Sequence, residues 1–409
     1  MIKIAFITQP WDGIGPGSSL GILTCNIIKR LIKNNKVIVF AKNGKCNLED
    51  NGNIEYFYFF HKTDAVIEKF LVFIKKLMNY KKYNNPVFNS FFYYFFYSLS
   101  ISLKLKKINA DIVHIHNFSQ FVPVIRFFNK NIKIILHMHC EWLSQLDKNI
   151  IRRRIKKTDK IIGCSKYISD KIKEVFPEFS YKIQSLPNGT NIPEIISGDN
   201  TKAISIKKIL FVGRISPEKG VHTLLSAFNK VAKERPDVHL DLAGAIKTAP
   251  KEYIISLDSN QYVKNLDKFY NQESYFDKLN AILYNFAKEK VVFHQHLDYE
   301  KLKDLYEQAD LLVNPSLSES FGMAVIEANS YGVPVIVTKT GGMIELVNDG
   351  FNGYKVNPDD PEALASMIIY LLNNDEERIR LGQNGKTMVT DLYNWDKITS
   401  DLENIYQSA

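Results

Sequence analysis

The chain has 409 residues, of which 45% are hydrophobic and 24% are charged. This length is enough for two domains with full hydrophobic cores, and the composition excludes disordered, collagen-like and coiled-coil proteins. Residues 1–190 carry 30 Lys/Arg against 13 Asp/Glu, whereas residues 191–409 carry 23 against 31. The resulting balances of +17 and −8 indicate that only the first half faces an anionic partner.

The cysteines indicate a reduced protein. The four of them, at positions 25, 46, 140 and 164, are too scattered for a disulfide framework, and no C-x-x-C pair is present. The apolar run at the N-terminus ends at Pro10 and is too short for a secretory signal. No stretch approaches the roughly 18 apolar residues of a membrane-spanning helix. We therefore expect a soluble, cytoplasmic protein.

Short apolar, β-branched runs alternate with helical patterns along the whole chain. The predicted strands are 2–7, 37–40, 111–115, 133–139 and 160–165, followed by 208–213, 238–244, 291–295, 310–316 and 334–340. Continuous apolar runs are typical of a parallel sheet that is covered on both faces. Alternation with helices predicts right-handed βαβ units. Two such series predict an α/β protein with two doubly wound domains.

The domain boundary is predicted within residues 185–202, which are rich in Pro, Gly, Asn and Ser. We expect a first domain at 1–190 and a second at 191–389. The final helical pattern, 390–409, is predicted to pack back on the first domain. Residues 55–108 and 245–280 look like insertions.

Residues 62–97 combine lysines with apolar and aromatic side chains. At helical spacing, one face carries Val66, Ile67, Phe70, Leu71, Ile74, Leu77 and Met78, with Lys69, Lys75, Lys76, Lys81 and Lys82 at its flanks and end. This pattern, followed by FFYYFFY, is typical of an interfacial helix drawn to anionic lipid. A helix packed on the sheet of the first domain is the alternative. We hypothesise peripheral association with the inner face of the cell membrane, and we expect no nucleic-acid partner because no recognition motif is present.

The segment VGRISPEKG (212–220) predicts a diphosphate site. A strand ends at Val212, a glycine turn follows, and Arg214 and Lys219 lie near the start of a helix. Two cations and the positive end of a helix dipole are suited to a diphosphate. A structural turn with solvated charges is the alternative.

A second motif lies in residues 314–342. Glu319 and Glu327 are eight residues apart, with Phe321 and Gly322 opening a helix between them. Eight helical residues span roughly 12 Å, which is too far for a glycosidase pair, whose carboxyl groups lie about 5–9 Å apart. The two carboxylates could instead bind the two ends of one elongated ligand through its hydroxyl groups.

These motifs, together with GVPVIVTKTGGMIELV and the junction LPNGTN, resemble the retaining glycosyltransferases of family GT4. The resemblance implies the GT-B fold, in which two Rossmann-like domains face each other across a central cleft. It implies that Arg214 and Lys219 neutralise the donor diphosphate, that Glu327 binds the ribose and that Glu319 binds the sugar. The remaining implied donor-binding residues are Gly213, Ser320, Phe321, Gly322, Thr340, Gly341 and Gly342.

In the first half, the resemblance points to the ends of the strands. Gly17 and Ser18, in the glycine-rich turn 9–21, are the implied counterparts of a loop that approaches the donor phosphate. His139 corresponds to a histidine that contacts the donor sugar, and it joins Arg214, Lys219 and Glu319 as an implied catalytic residue. Acceptor-side candidates are His114, Glu141 and Trp142, although a purely structural role stays open for His114 and Trp142.

The expected reaction is transfer of a hexose or N-acetylhexosamine from a nucleotide diphosphate sugar, most often a UDP-sugar in this family, to a hydroxyl group of a glycan or lipid-linked acceptor. The resemblance implies retention of anomeric configuration. No D-x-D motif occurs, so we expect no cofactor and no metal requirement. A sugar-nucleotide epimerase and a catalytically silent nucleotide-sugar-binding subunit are the alternatives.

Overall fold

The computed structural model describes residues 1–15, 18–48, 52–77, 86–193, 206–248, 250–270, 274–295 and 297–409. The chain divides into two compact units. Unit 1 comprises Met1–Asn188 and Trp395–Ala409, and unit 2 comprises Gly189–Asn394. The first division lies two residues before the predicted one, and the return to unit 1 begins at Trp395 instead of residue 390.

Unit 1 is built on a parallel sheet. Its strands are β1 (Lys3–Ile7), β2 (Lys36–Ala41), β3 (Ile54–Tyr58), β4 (Ile112–His116), β5 (Lys133–Met138), β6 (Lys160–Gly163) and β7 (Ile183–Ser185). Among the described residues their order is β3-β2-β1-β4-β5-β6-β7. β1, β4 and β5 are in the centre and almost wholly buried, as expected for strands that are covered on both faces.

The helices of unit 1 connect these strands. They are α1 (Ser19–Leu31), α2 (Lys62–Leu77), α3 (Phe95–Ile108), α4 (Phe121–Phe128), α5 (Trp142–Gln145), α6 (Lys148–Ile155) and α7 (Lys166–Val175). Side chains at the N-caps fix where several of them begin. Ser18, Asp147 and Ser165 each accept a hydrogen bond from an amide in the first turn of α1, α6 and α7, respectively.

Unit 2 repeats the plan. Its strands are β8 (Lys207–Val212), β9 (Val238–Ala243), β10 (Val291–His294), β11 (Leu311–Asn314), β12 (Val335–Thr338) and β13 (Gly353–Val356). Its helices are α8 (Val221–Glu234), α9 (Lys251–Ile254), α10 (Gln261–Lys264), α11 (Tyr275–Ile282), α12 (Asn285–Lys288), α13 (Tyr299–Gln308), α14 (Met323–Ser330), α15 (Met343–Leu346), α16 (Pro361–Asn373) and α17 (Asp375–Leu392). The strand order is β10-β9-β8-β11-β12-β13.

Both sheets therefore contain the doubly wound order 3-2-1-4-5-6, in which the direction of winding reverses between the first and fourth strands. The ten predicted strands all form, within two residues of their predicted ends. Three strands were not predicted, namely β3, β7 and β13. They lie at the ends of the described strand orders, where partial exposure interrupts the apolar run that identifies a central strand.

The last helix, α18 (Trp395–Gln407), belongs to unit 1 although it follows unit 2 in the chain. Its buried face, which includes Trp395, Ile398 and Leu402, lies in the same hydrophobic cluster as the apolar residues of α1 and β2. Arg30 of α1 donates a 2.6 Å hydrogen bond to Asp396. The C-terminal helix thus completes the core of unit 1.

Two sequence expectations need correction. Residues 55–108 are not simply an insertion, because β3 is a sheet strand and α3 packs against α4. The cysteines are not all reduced, since a disulfide joins Cys25 of α1 to Cys46. The other predicted insertion, residues 245–280, contains α9, α10 and a 3₁₀ segment, and its apolar side chains pack around Leu317 of unit 2.

Candidate active site

The carboxyl ends of β8 and β11 mark the place in unit 2 where the winding direction reverses, and ligands of doubly wound sheets bind at such points. Residues 213–220 follow β8, and residues 315–322 follow β11. Arg214 and Lys219 lie in the first connection, and Glu319 lies in the second. The sheet topology therefore brings together residues that are 100 positions apart in the sequence.

A glycine lets the two connections approach closely. Gly220 has a φ of +65°, and a side chain there would collide with the carbonyl oxygen of Pro315. Lys219, directly before it, ends a single 3₁₀ turn. The ammonium of Lys219 donates a 2.6 Å hydrogen bond to Oε2 of Glu319. Both side chains are about four-fifths buried, with exposures of 20% and 17%, so this ion pair is shielded from water.

Arg214 is held by two neighbours in the same connection. Its Nη2 donates to Oε1 of Glu218 at 2.8 Å, and its Nε donates to Oγ of Ser216 at 3.3 Å. The Ser216 hydroxyl also donates to Oε1 of Glu218 at 2.6 Å. Glu218 and Ser216 are buried, whereas the Arg214 side chain is 42% exposed. The guanidinium is thus anchored on one side and open to solvent on the other.

Glu218 also ties the two connections together, because its carbonyl oxygen accepts the amide of Leu317 at 2.8 Å. Its Oε2 is buried and has no partner among the described residues, and the same holds for the hydroxyl of Tyr270. Burial raises the pKa of Tyr270, and the charge of Glu218 raises it further. Tyr270 directly follows the 3₁₀ segment Asn265–Phe269, so this segment lies next to the Glu218 side of the candidate site.

The loop at 319–322 is bordered by a second glycine-containing turn. Side chains at Gly341 and Gly342 would collide with the carbonyl oxygens of Glu319 and Ser320, respectively. The amide of Gly342 donates to the Glu319 carbonyl at 3.1 Å. Gly341 and Gly342 therefore lie directly beside Glu319, and Thr340 directly precedes them.

Gly322 begins α14 with a φ of +111°. The helix points its N-terminal amides and the positive end of its dipole into the turn that carries Glu319. Phe321 is 3% exposed and contributes its ring to the core. Only the backbone of Phe321 is therefore suited to contact a ligand.

Glu327 lies on α14 and accepts a 2.6 Å hydrogen bond from the hydroxyl of Tyr306. Tyr306 stacks on Tyr331, with ring centroids 5.4 Å apart and planes inclined by 9°. Burial raises the pKa of Glu327, and the Tyr306 hydrogen bond opposes this shift. Since α14 starts at Met323, Glu319 lies outside the helix, so the distance expected for eight helical residues does not apply to this pair.

In unit 1, His139 directly follows β5 and lies beside the end of β4. Its Nε2 is 3.0 Å from Nδ1 of His116, and its amide donates to Oδ1 of Asn117 at 2.7 Å. Asn117 has a φ of +61°, in the left-handed region that asparagine tolerates better than most residues. Burial lowers the pKa of His139 to about 3, so the imidazole is neutral at physiological pH.

The acceptor-side prediction for His114 is wrong. Its side chain is fully buried, with Nδ1 at 2.7 Å from the Tyr406 hydroxyl and Nε2 at 3.1 Å from Nδ1 of His137. Both nitrogens thus have partners inside unit 1. Its role is structural, because it links β4 to α18 and to β5.

The other first-half candidates have the following positions. Ser18 accepts from the amide of Gly21 and donates to Asp12, both at 3.3 Å, so it caps α1. Trp142 opens α5 and packs against Phe88, with ring centroids 4.3 Å apart. Glu141 precedes it, and its carbonyl accepts the Ser144 hydroxyl. Gly17 lies outside the described residues.

Two family models match adjacent parts of the chain. The model described as Glycosyltransferase Family 4 matches residues 21–193, and the model described as Glycosyl transferases group 1 matches residues 195–388. The chain belongs to glycosyltransferase family 4. The predicted family and the transferase class are thereby confirmed.

The transferase has relatives in several organisms. It is 27% identical to spore coat protein SA of Bacillus subtilis over 331 residues, which cover 76% of this chain and 82% of that protein. It is 26% identical to the lipopolysaccharide 1,2-N-acetylglucosaminetransferase of Salmonella typhimurium over 317 residues, which cover 75% of this chain and 74% of that enzyme.

Solved structures confirm the fold. Sucrose-phosphate synthase from Thermosynechococcus elongatus superposes with a TM-score of 0.69 at 19% identity, covering 100% of this chain and 98% of that one. Anabaena HepE in complex with UDP and glucose superposes with a TM-score of 0.68 at 18% identity, covering 100% of both chains. The transferase thus has the two Rossmann-like domains of the GT-B fold.

Three further residues lie at the site of the transferase that the sequence motifs did not identify. Glu218 lies within the motif VGRISPEKG, but the charge of a carboxylate opposes anion binding, and only its contact with Arg214 shows that it anchors the guanidinium. Gly220 ends the same motif, and only the tertiary contact with Pro315 explains it. Tyr306 belongs to none of the motifs, and nothing in the sequence around it predicts its contact with Glu327.

An apolar surface of the transferase is formed by described residues in and next to α2 and α3. It comprises the exposed side chains Phe60, Val66, Phe70, Phe73, Phe91, Phe92 and Phe96, and we call it the α2–α3 surface. α2 packs against α3 and the turn Val87–Asn89, and Asp64 accepts the amides of Phe96 and Tyr97 at the start of α3. Met78, Lys81 and Lys82 lie outside the described residues. Within the described part of the chain, no helix is long and apolar enough to span a membrane.

Proposed function

We propose that the transferase moves a hexose or N-acetylhexosamine from a UDP-sugar to a hydroxyl group of a glycan or lipid-linked acceptor, with retention of anomeric configuration. The observation that carries this proposal is the juxtaposition of Arg214, Lys219 and Glu319 at the winding reversal of unit 2. Two cations beside a carboxylate match a ligand that has a diphosphate at one end and a sugar with hydroxyl groups at the other.

Each residue has a separate role in this proposal. The Lys219 ammonium has three protons, so it can donate to a phosphate oxygen while it keeps its bond to Glu319. The exposed side of the Arg214 guanidinium binds the other phosphate. Glu327, already oriented by Tyr306, accepts hydrogen bonds from the ribose hydroxyls.

The choice of uridine and of the sugar class is supported by the named relatives. HepE was solved with UDP and glucose, and the Salmonella enzyme is named as an N-acetylglucosaminetransferase. The nucleotide preference is therefore the first property to measure.

We infer that transfer proceeds by attack on the face from which the diphosphate leaves. The bond between the anomeric carbon and the phosphate oxygen breaks, the acceptor oxygen bonds to the same carbon, and the acceptor proton passes to the departing diphosphate. Arg214, Lys219 and the N-terminus of α14 stabilise the negative charge that develops on this group. The hydrogen bond from Lys219 holds the Glu319 carboxylate in place. A carboxylate accepts hydrogen bonds, so Glu319 is suited to bind a sugar hydroxyl. This division of roles requires no metal ion.

Calorimetric titration with UDP, GDP and ADP in EDTA tests the donor site. We expect UDP to bind most tightly, and we expect transfer from the UDP-sugars to a hydroxyl acceptor to persist in EDTA. Tighter binding of GDP or ADP would overturn the uridine assignment. Loss of activity that only Mn²⁺ or Mg²⁺ restores would overturn the metal-independent mechanism.

A further inference from the structure

A buried chain of hydrogen bonds runs from α1 to His139. Oγ1 of Thr24 lies 3.3 Å from Nε2 of His116, and Nδ1 of His116 lies 3.0 Å from Nε2 of His139. Thr24 and His116 are fully buried, whereas His139 is partly exposed. His116 therefore connects a residue in the interior of unit 1 to the histidine at the predicted catalytic position.

The direction of the first bond follows from the single proton of the Thr24 hydroxyl. Oγ1 of Thr24 is 2.7 Å from the carbonyl oxygen of Leu20. A carbonyl has no proton to donate, so two oxygens at this distance require the hydroxyl proton between them. Toward His116, the Thr24 oxygen can then only accept. Nε2 of His116 consequently carries a proton.

The direction of the second bond follows from the neutrality of His116. Burial, with the neighbouring histidines, lowers the pKa of His116 well below its usual value, and a neutral imidazole has one N–H and one lone pair. Since Nε2 carries the proton, Nδ1 of His116 can only accept. Nε2 of His139 must therefore donate this bond.

We propose that Thr24 and His116 are positioning residues that hold His139 as the Nε2–H tautomer, so that its Nδ1 is left to accept a hydrogen bond from a sugar hydroxyl group of the substrate. Nδ1 of His139 has no hydrogen-bond partner among the described residues. The identity of the hydroxyl rests on the proposed transferase function, whereas the tautomer follows from the contacts within unit 1.

Other rings surround the buried part of this hydrogen-bond chain. The ring centroids of His137 and His139 are 4.1 Å apart with the planes tilted by 35°, and Phe6 stacks on His114 at 5.0 Å. Nitrogens of His114, His116 and His137 lie within 4.8 Å of one another, a spacing that could also hold a metal ion. However, both nitrogens of His114 and of His116 already have hydrogen-bond partners, and in this trio only Nε2 of His137 lacks one among the described residues.

Nitrogen-15 NMR of the full chain with labelled histidine tests the tautomer directly, because protonated and unprotonated imidazole nitrogens resonate far apart. A His139→Asn variant identifies the His139 signals by their loss. We expect Nε2 of His139 to carry the proton in the wild-type protein. A proton on Nδ1, or a fully protonated ring at neutral pH, would overturn the proposal. So would stoichiometric zinc bound through His116.

Thr24→Val and Thr24→Ser form a matched pair. Valine has the shape of threonine but cannot accept a hydrogen bond, so a proton on Nε2 of His116 would be left without a partner. A buried N–H without a partner is rarer than an unpaired acceptor. We therefore expect that in Thr24→Val the proton of His116 moves from Nε2 to Nδ1. His116 then donates to Nε2 of His139, and the Nδ1–H form of His139 becomes populated. Thr24→Ser should keep the wild-type signals. An unchanged His139 spectrum in Thr24→Val would overturn the proposal.

Measurements of kcat/KM and of UDP affinity distinguish a positioning role of Thr24 from a purely structural one. We expect Thr24→Val to lower kcat/KM for the UDP-sugar by roughly three- to tenfold, the equivalent of one hydrogen bond, and Thr24→Ser to restore it. UDP lacks the sugar, so its affinity should stay the same in both variants. Weaker UDP binding in Thr24→Val would indicate a structural role and overturn the proposal. Absence of transfer in the wild-type protein would refute the transferase proposal, while the NMR result would still decide the tautomer.

Discussion

At the scale of single residues, function in this transferase depends on pairs that the sequence separates. Lys219 and Glu319 are 100 positions apart and share a 2.6 Å hydrogen bond. Arg214 has its anchor, Glu218, only four positions away. The first pair forms because two connections leave neighbouring strands at the same edge of the sheet. The Arg214–Glu218 pair forms because the 3₁₀ turn Pro217–Lys219 brings the Glu218 carboxylate back toward the Arg214 guanidinium.

Replacing Lys219 tests its role in stabilising the departing diphosphate. We expect Lys219→Ala to lower kcat about 100-fold or more, as the loss of one preorganised donor does in other enzymes. Lys230→Ala is the matched control, because Lys230 lies on α8 in an exposed ion pair with Glu362. Steady-state kinetics of both folded variants provides the measurement. Equal turnover in Lys219→Ala and the control would remove Lys219 from the reaction.

The buried histidines predict a pH dependence of stability. Burial lowers the pKa of His114 and of His139 to about 3 and those of His116 and His137 well below the ordinary value. In the unfolded chain these groups titrate near pH 6.5. The unfolded state therefore binds more protons between about pH 6.5 and pH 3, so the free energy of unfolding falls as the pH falls through this range.

Urea unfolding at several pH values between 7 and 4 measures this effect. Each histidine contributes a slope of up to about 1.4 kcal/mol per pH unit. We expect His137→Gln to reduce the slope by about one such contribution, while the carboxylates contribute equally to both proteins. Identical slopes for the two proteins would contradict the prediction.

At the scale of elements, α2 leaves part of its apolar face uncovered. Val66, Phe70 and Phe73 are 65%, 59% and 58% exposed, at the i, i+4 and i+7 spacing of one helix face. Lys62 and Lys69 are exposed on the same helix. A contiguous apolar patch flanked by lysines is suited to a membrane interface rather than to free solvent. We propose that the α2–α3 surface binds anionic membranes.

Liposome flotation of the full chain tests this surface. We expect binding to vesicles that contain anionic lipid and weaker binding to neutral ones, since lysines add an electrostatic attraction. The double variant Phe70→Ser/Phe73→Ser should lose binding. Phe127→Ser is the control, because Phe127 lies on α4, outside this surface, and is 75% exposed. Binding of the double variant at the wild-type level, or no binding of the wild type to either vesicle, would refute the membrane proposal.

At the scale of the whole molecule, the chain returns to its first unit after building its second. α18 contributes Trp395, Ile398 and Leu402 to the core of unit 1, and the hydroxyl of Tyr406 on this helix bonds His114. The apolar surface buried by α18 cannot be supplied by residues 1–188 alone. We therefore expect the stability of unit 1 to depend on α18.

Truncation after Asn394 tests this dependence. We expect the amides of unit 1 to lose protection from hydrogen exchange, whereas those of unit 2 keep most of theirs. Truncation after Gln407 is the control, because it removes only Ser408 and Ala409. Unchanged protection of unit 1 in the longer truncation would show that α18 is dispensable for its core.

The sequence by itself determined the two doubly wound domains, the positions of their central strands and the motifs that carry Arg214, Lys219, Glu319 and Glu327. These features are local, because continuous apolar runs, glycine turns and charge spacing can be read within a few residues. The sequence did not determine the edge strands, since partial exposure weakens the apolar pattern there.

Only the tertiary structure decided which residues meet. It paired Lys219 with Glu319, placed Tyr306 on Glu327, buried His114 against Tyr406 and joined Cys25 to Cys46. Each of these contacts links segments that approach one another only when strands and helices pack. The tautomer of His139 is decided in the same way, because it depends on Thr24, 115 residues earlier, through two hydrogen bonds that form only when α1 packs on the sheet.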